Sequence, residues 1–76
     1  SLLKTYSDQF YTDKKNYDLA VMIYDKTYSK FKEGLASGMD LNQAYLQILS
    51  QHGTYLNTML QLLNTYANLS KALNTF

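Results

Sequence analysis

From Leu41 to Phe76 the large apolar side chains recur in alternating steps of four and three residues. The series is Leu41, Tyr45, Ile48, His52, Tyr55, Met59, Leu62, Tyr66, Leu69, Leu73 and Phe76, with His52 its one polar member. That spacing places every member on one face of an α-helix and repeats as a heptad. A second stripe runs one residue behind it through Leu46, Leu49, Leu56, Leu60, Leu63 and Ala67, interrupted at Gly53. A two-stranded coiled coil needs only one such seam. Two adjacent stripes make a face wide enough for two neighbouring helices at once.

The first arm repeats the pattern less regularly. Leu3, Tyr6 and Phe10 keep the spacing, Asp13-Lys14-Lys15 breaks it, and Tyr17, Val21, Tyr24, Tyr28, Phe31 and Leu35 resume it. The break around Asp13 reads as a stutter or a local unwinding. Lys4, Asp8, Asp18, Asp25, Lys26, Lys30 and Lys32 occupy the other side, a solvated face.

Between the arms lies the only turn signal, Gly34-Leu35-Ala36-Ser37-Gly38-Met39-Asp40. Gly34 suits the left-handed residue that ends a helix. Lys30 and Lys32 stand in the last turn before it, where cations complement the helix dipole. Ser37 and Asp40 have capping-box spacing and restart the helix. A stop and a start three residues apart make a tight αα-hairpin. No proline occurs in the chain and no segment alternates with period two, so no strand is expected. The expectation is an all-α, antiparallel two-helix coiled-coil hairpin, one domain over residues 1–76, with helices at about 2–33 and 38–75.

A core of this size is marginal: chains below roughly 70–80 residues usually need a staple or a partner. The absence of cysteine removes disulfides and thiolate metal sites. A formal charge of +1 gives no electrostatic reason to bind nucleic acid or an anionic membrane. Charge is unevenly placed: 12 of the 13 charged residues precede Leu41, and only Lys71 follows it. The apolar runs are far short of the ~20 residues a spanning helix needs. The chain opens at Ser1, without an initiator methionine and already in helical pattern, so a piece of a longer protein is expected.

Little here could carry catalysis. His52 has Ile48, Leu49, Tyr55 and Leu56 at the neighbouring helical positions, so it has no companion ligand or carboxylate and is read as a seam or pore-facing residue. Asp8, Asp13, Asp18, Asp25 and Glu33 form no acid pair at i, i+4 and read as a solvated face. The tyrosines on the seams read as packing residues with boundary hydroxyls rather than a ligand surface. Gly53 marks a kink or a close helix contact. No catalytic residue, cofactor or metal is expected.

The stretch Lys30-Phe31-Lys32-Glu33-Gly34-Leu35-Ala36-Ser37-Gly38-Met39-Asp40-Leu41-Asn42-Gln43-Ala44 resembles the helical-hairpin tip of the TolC-like outer membrane efflux proteins. Asn16-Tyr17-Asp18-Leu19-Ala20 looks like that family's approach to the tip. Tyr55 to Asn64 and Leu69-Ser70-Lys71-Ala72-Leu73-Asn74 look like its return helix, and this ending favours the second hairpin of a protomer. The resemblance implies a trimer anchored in the outer membrane, with long periplasmic helices packed into a hollow α-barrel. It implies that Gly34, Leu35, Ala36 and Ser37 form a tip docking a periplasmic adaptor protein linked to an inner-membrane pump. It places Phe31 and Asp40 at the aperture. Ala36 stands where some members carry an arginine, Gln43 where some carry a second acid, and Phe31 lacks a tyrosine's hydroxyl, so a hydrogen-bonded gate is not implied.

The function expected from this resemblance is passive: part of the periplasmic conduit of an efflux or type I secretion channel, not an enzyme. A detached hairpin is expected to self-associate as a dimer or larger assembly. The rival readings are a generic coiled-coil oligomerisation or scaffold module with no transport role, and a small helical ligand binder using the tyrosines and His52.

Overall fold

Ser1 starts the first helix by accepting the Lys4 N–H on its hydroxyl at 3.3 Å. In the computed structural model, which describes residues 1–74, α1 runs Leu2–Lys32 and α2 runs Gly38–Asn74. They fold back on each other as an antiparallel hairpin measuring 64 × 15 × 13 Å, the all-α architecture the periodicity predicts, and the described residues contain no strand. Glu33, expected inside the first helix, is its C-cap. The expected helix end at 75 and the seam member Phe76 lie outside the described residues.

α1 continues through Asp13 without a break, so neither unwinding nor a stutter occurs there. The seam that meets α2 passes through Asp13 instead. Its half-buried or buried members are Leu3, Tyr6, Phe10, Asp13, Tyr17, Ala20, Tyr24 and Thr27, an uninterrupted three–four series. Asp13 therefore leaves the solvated face assigned to it and is 2% exposed. A buried carboxylate is tolerated only when its oxygens are hydrogen-bonded. Thr58 donates its hydroxyl to Asp13 Oδ2 at 2.5 Å from the facing helix, and the Gln9 amide donates to Oδ1 at 2.8 Å. No buried side-chain polar atom among the described residues lacks a partner.

The α2 seam is likewise turned from the expected one. Leu41, Ile48, Tyr55 and Leu62 face α1 as expected, but their companions are Ala44, Gln51, Thr58 and Thr65. Tyr45, at 49%, and Tyr66, at 61%, are largely exposed, and His52 is exposed as well. The buried positions among the described residues are Ala20, Ala44, Asp13 and Thr58, all small or medium in size. Helices approach most closely where facing side chains are small. Between these close points the half-buried rings of the seam meet across the two helices. Phe10 lies 5.0 Å from Tyr55, Tyr17 lies 5.5 Å from His52 and 6.2 Å from Tyr55, and Tyr24 lies 6.2 Å from Tyr45. These ring contacts occupy the middle of the seam, between Phe10 and Tyr24.

Candidate functional site

The turn is built by two interlocking caps. Gly34 adopts φ +78°, the left-handed conformation in which a Cβ is unfavourable. Its N–H donates to the Phe31 carbonyl at 3.1 Å, and the Leu35 N–H donates to the Lys30 carbonyl at 2.8 Å. That pair of bonds is the Schellman closure, and it satisfies carbonyls that the end of α1 would otherwise leave open. Three residues later the helix restarts. Asp40 N–H donates to Ser37 Oγ at 3.0 Å, and Ser37 N–H donates to Asp40 Oδ2 at 3.0 Å. These reciprocal bonds are the capping box the spacing predicts. They also hold the Asp40 carboxyl below the ordinary carboxylate value, first through the Ser37 backbone N–H and then through its hydroxyl.

Gly34, Leu35, Ala36 and Ser37 thus form one ordered turn at the end of the hairpin. Asp40 joins it through Ser37, and Phe31 through its carbonyl bond to Gly34. Leu35 is 73% exposed and Ala36 half-buried. The Phe31 ring, 41% exposed, belongs to the flank of α1 one turn below. The Lys32 ammonium lies 4.8 Å from the centre of the Tyr28 ring, draped back along the helix. Met39, absent from the residues singled out by sequence, is 75% exposed beside the turn. Its signal was an apolar residue in the first turn of α2 that belongs to neither stripe. Leu35 and Met39 give the tip two uncovered apolar side chains.

The longer candidate surface is the second stripe of α2. Leu46, Leu49, Leu56, Leu60 and Leu63 are 53%, 48%, 37%, 62% and 56% exposed. Folding of the hairpin leaves this stripe uncovered. On α1, Leu19 and Ile23 are about half exposed and line an open groove with Asn16, Ala20, Gln47 and Gln51. The groove's polar lining is amide, without a titratable group.

Among the described residues no group of three or more His, Cys, Asp or Glu could hold a metal ion. His52 packs its ring against Tyr17. Among those same residues no helix is long and apolar enough to cross a membrane. What the arrangement offers is surface: an apolar-tipped turn and uncovered apolar stripes along a rod. No protein-family model, no curated protein and no solved structure matches the chain.

Proposed function

We propose that this hairpin is a wall segment of a periplasmic conduit of the TolC-like kind, serving efflux or type I secretion without a catalytic step. The resemblance of residues 30–44 to that family's hairpin tip supplies the identity of the assembly. The observation that carries the structural side is the leucine stripe left open on α2 beside a hairpin already closed on its inner seam. A helix in a barrel wall needs a neighbour on each side, whereas a self-contained hairpin needs only one. In this reading the assembly is a trimer of larger protomers in the outer membrane, and the turn meets the adaptor that links it to the pump. Leu35 and Met39 present the apolar contact, while Gly34, Ala36 and Ser37 fix the turn's shape. Phe31 and Asp40 face the aperture side.

The test is made in cells that carry the protein. Leu35→Glu and Ser37→Glu are expected to raise accumulation of an efflux dye while the protein stays in the outer-membrane fraction. Dye export and protein secretion that survive both these variants and deletion of the gene would contradict the reading. The same open stripe also suits a scaffold module in which two hairpins form a four-helix bundle. That reading predicts assembly without any effect of the tip variants on export.

A further inference from the structure

The outer stripe of α2 continues in the same three–four steps beyond its leucines. It reaches Asn42 and Met39 toward the turn, and Ala67, Ser70 and Asn74 at the far end. Every member is exposed and none is charged. The residues that meet α1, such as Ala44, Ile48 and Thr58, stand two positions from a stripe member, about 200° around the helix. Anything seated on the stripe therefore lies on the side of α2 away from α1 and its charges. α2 itself carries two charges along its described length, Asp40 near its start and Lys71 near its end. Each follows a stripe member by one residue, so both stand on the same flank of the stripe. Tyr45 and Tyr66 each precede a stripe member by one residue and stand on the other flank.

We infer that a second copy of this chain covers the stripe with its own α2, antiparallel, about a two-fold axis passing between Thr54 and Tyr55. This register uses every leucine of the stripe: Leu46 meets the other copy's Leu63, Leu49 meets its Leu60, and Leu56 meets its Gly53. Sliding by one heptad in either direction sets two leucines against Met39 and Asn42, or against Ala67 and Ser70. Gly53 has nothing within 4 Å of where a Cβ would stand, so the space over it is open for the facing Leu56.

Charge sets the direction. In this pairing Asp40 of one copy is within two residues, about 3 Å along the axis, of level with Lys71 of the other. Opposite ends of the two helix dipoles also lie side by side. A parallel pairing sets Asp40 beside Asp40 and Lys71 beside Lys71. On the other flank Tyr45 and Tyr66, 49% and 61% exposed, come level across the dimer by the same count. The contact is isologous, so it occupies the α2 stripe of both copies and stops at two chains. A side-by-side neighbour in a conduit wall would use the same stripe, so this dimer is the state of the chain outside such a wall. The inference stands on the sequence and exposure of α2 and not on a role in transport, and the two are tested by different measurements.

The chain has no cysteine, which makes cross-linking a clean test. Leu49→Cys and Leu60→Cys chains are mixed at high concentration under mild oxidation, and a disulfide-linked dimer well above that of either chain alone is expected. Leu46→Cys mixed with Leu63→Cys should behave the same way, which guards against one variant folding poorly. Sedimentation equilibrium of the wild-type chain should reach a dimer and go no further. Linking of Leu49→Cys to itself in preference to Leu60→Cys overturns the inference in favour of a parallel contact with the turns at one end. Equal, background-level linking in both mixtures, with helicity intact by circular dichroism, overturns it in favour of no contact between stripes.

Discussion

The inner seam and the outer stripe of α2 invert the usual placement of residues. Ala44, Gln51, Thr58 and Thr65 turn toward α1, while Leu46, Leu49, Leu56, Leu60 and Leu63 turn away from it. A hairpin evolved to stand alone would bury its leucines. Here small and hydrogen-bonding groups alternate along the inner seam with half-buried Leu41, Ile48, Tyr55 and Leu62, so the hairpin buries part of its apolar surface and leaves the leucine stripe exposed. The difference teaches that hairpin shape and hairpin stability come from different surfaces. Shape comes from the caps, the alanines and the Asp13–Thr58 bond. The larger reserve of apolar surface stays exposed on the outside of the hairpin.

Substitutions that crowd the inner seam should have the largest effect on the isolated chain. Ala44→Leu puts a bulky group where the helices are close and is expected to cost about 1–3 kcal/mol by thermal unfolding. Leu60→Ala, the same change in side-chain size in the opposite direction, should cost the unassociated hairpin less, because the Leu60 side chain is 62% exposed. A reversed ranking would break the comparison.

Asp13→Ala removes the acceptor for Thr58 and leaves a buried hydroxyl unpaired, an expected loss of about 1–3 kcal/mol. Asp13→Asn keeps an oxygen for Thr58 and should lose less. Denaturant melts of the two variants check this order. Equal, negligible losses would mean that the polar pair contributes nothing to the inner seam.

At the turn, Gly34→Ala forces a Cβ into left-handed backbone at φ +78° and should cost about 1–2 kcal/mol. Because nothing lies within 4 Å of that Cβ position, the cost is conformational and not a clash. Serine or leucine at the same position should therefore cost much the same as alanine.

The smallest effect concerns pH. Asp40 is held by Ser37 below its ordinary value of 3.8, so the carboxylate form is the one the fold prefers. Its contribution is fully present above that value and is lost as pH falls through the lowered one. Asp40→Asn should flatten this acid limb of the stability curve while keeping an oxygen for the Ser37 N–H. A limb that is unchanged in the variant would assign the acid sensitivity to another group.

Much of this architecture was legible in the sequence. Helix limits and turn were readable because Gly34, Ser37 and Asp40 act locally, through their own backbone conformation and bonds across three residues. The site residues from Gly34 to Ser37 fall together in the turn for the same reason. The rotation of the inner seam was not readable. Periodicity counts large apolar residues, and Tyr45 and Tyr66 outweigh Ala44, Gln51, Thr58 and Thr65 in any such count, while Met59 of the expected seam is half-buried. Asp13 was hidden by the same rule: an acid beside two lysines reads as solvated until its partner, 45 residues away, is seen. Ala20 carried no weight, yet with Asp13 it completes the α1 seam.

We propose that the outer leucine stripe of α2 serves a neighbour while the inner seam serves the hairpin. The most direct test is the thermal midpoint of the wild-type chain and of a Leu56→Lys/Leu60→Lys variant, each measured across a hundredfold range of protein concentration. The wild-type midpoint is expected to rise with concentration, because association stabilises only the folded chain, and the midpoint of the variant, still helical at low temperature, to be independent of concentration. A wild-type midpoint that stays constant over the range, at the same value as the variant's, would contradict it.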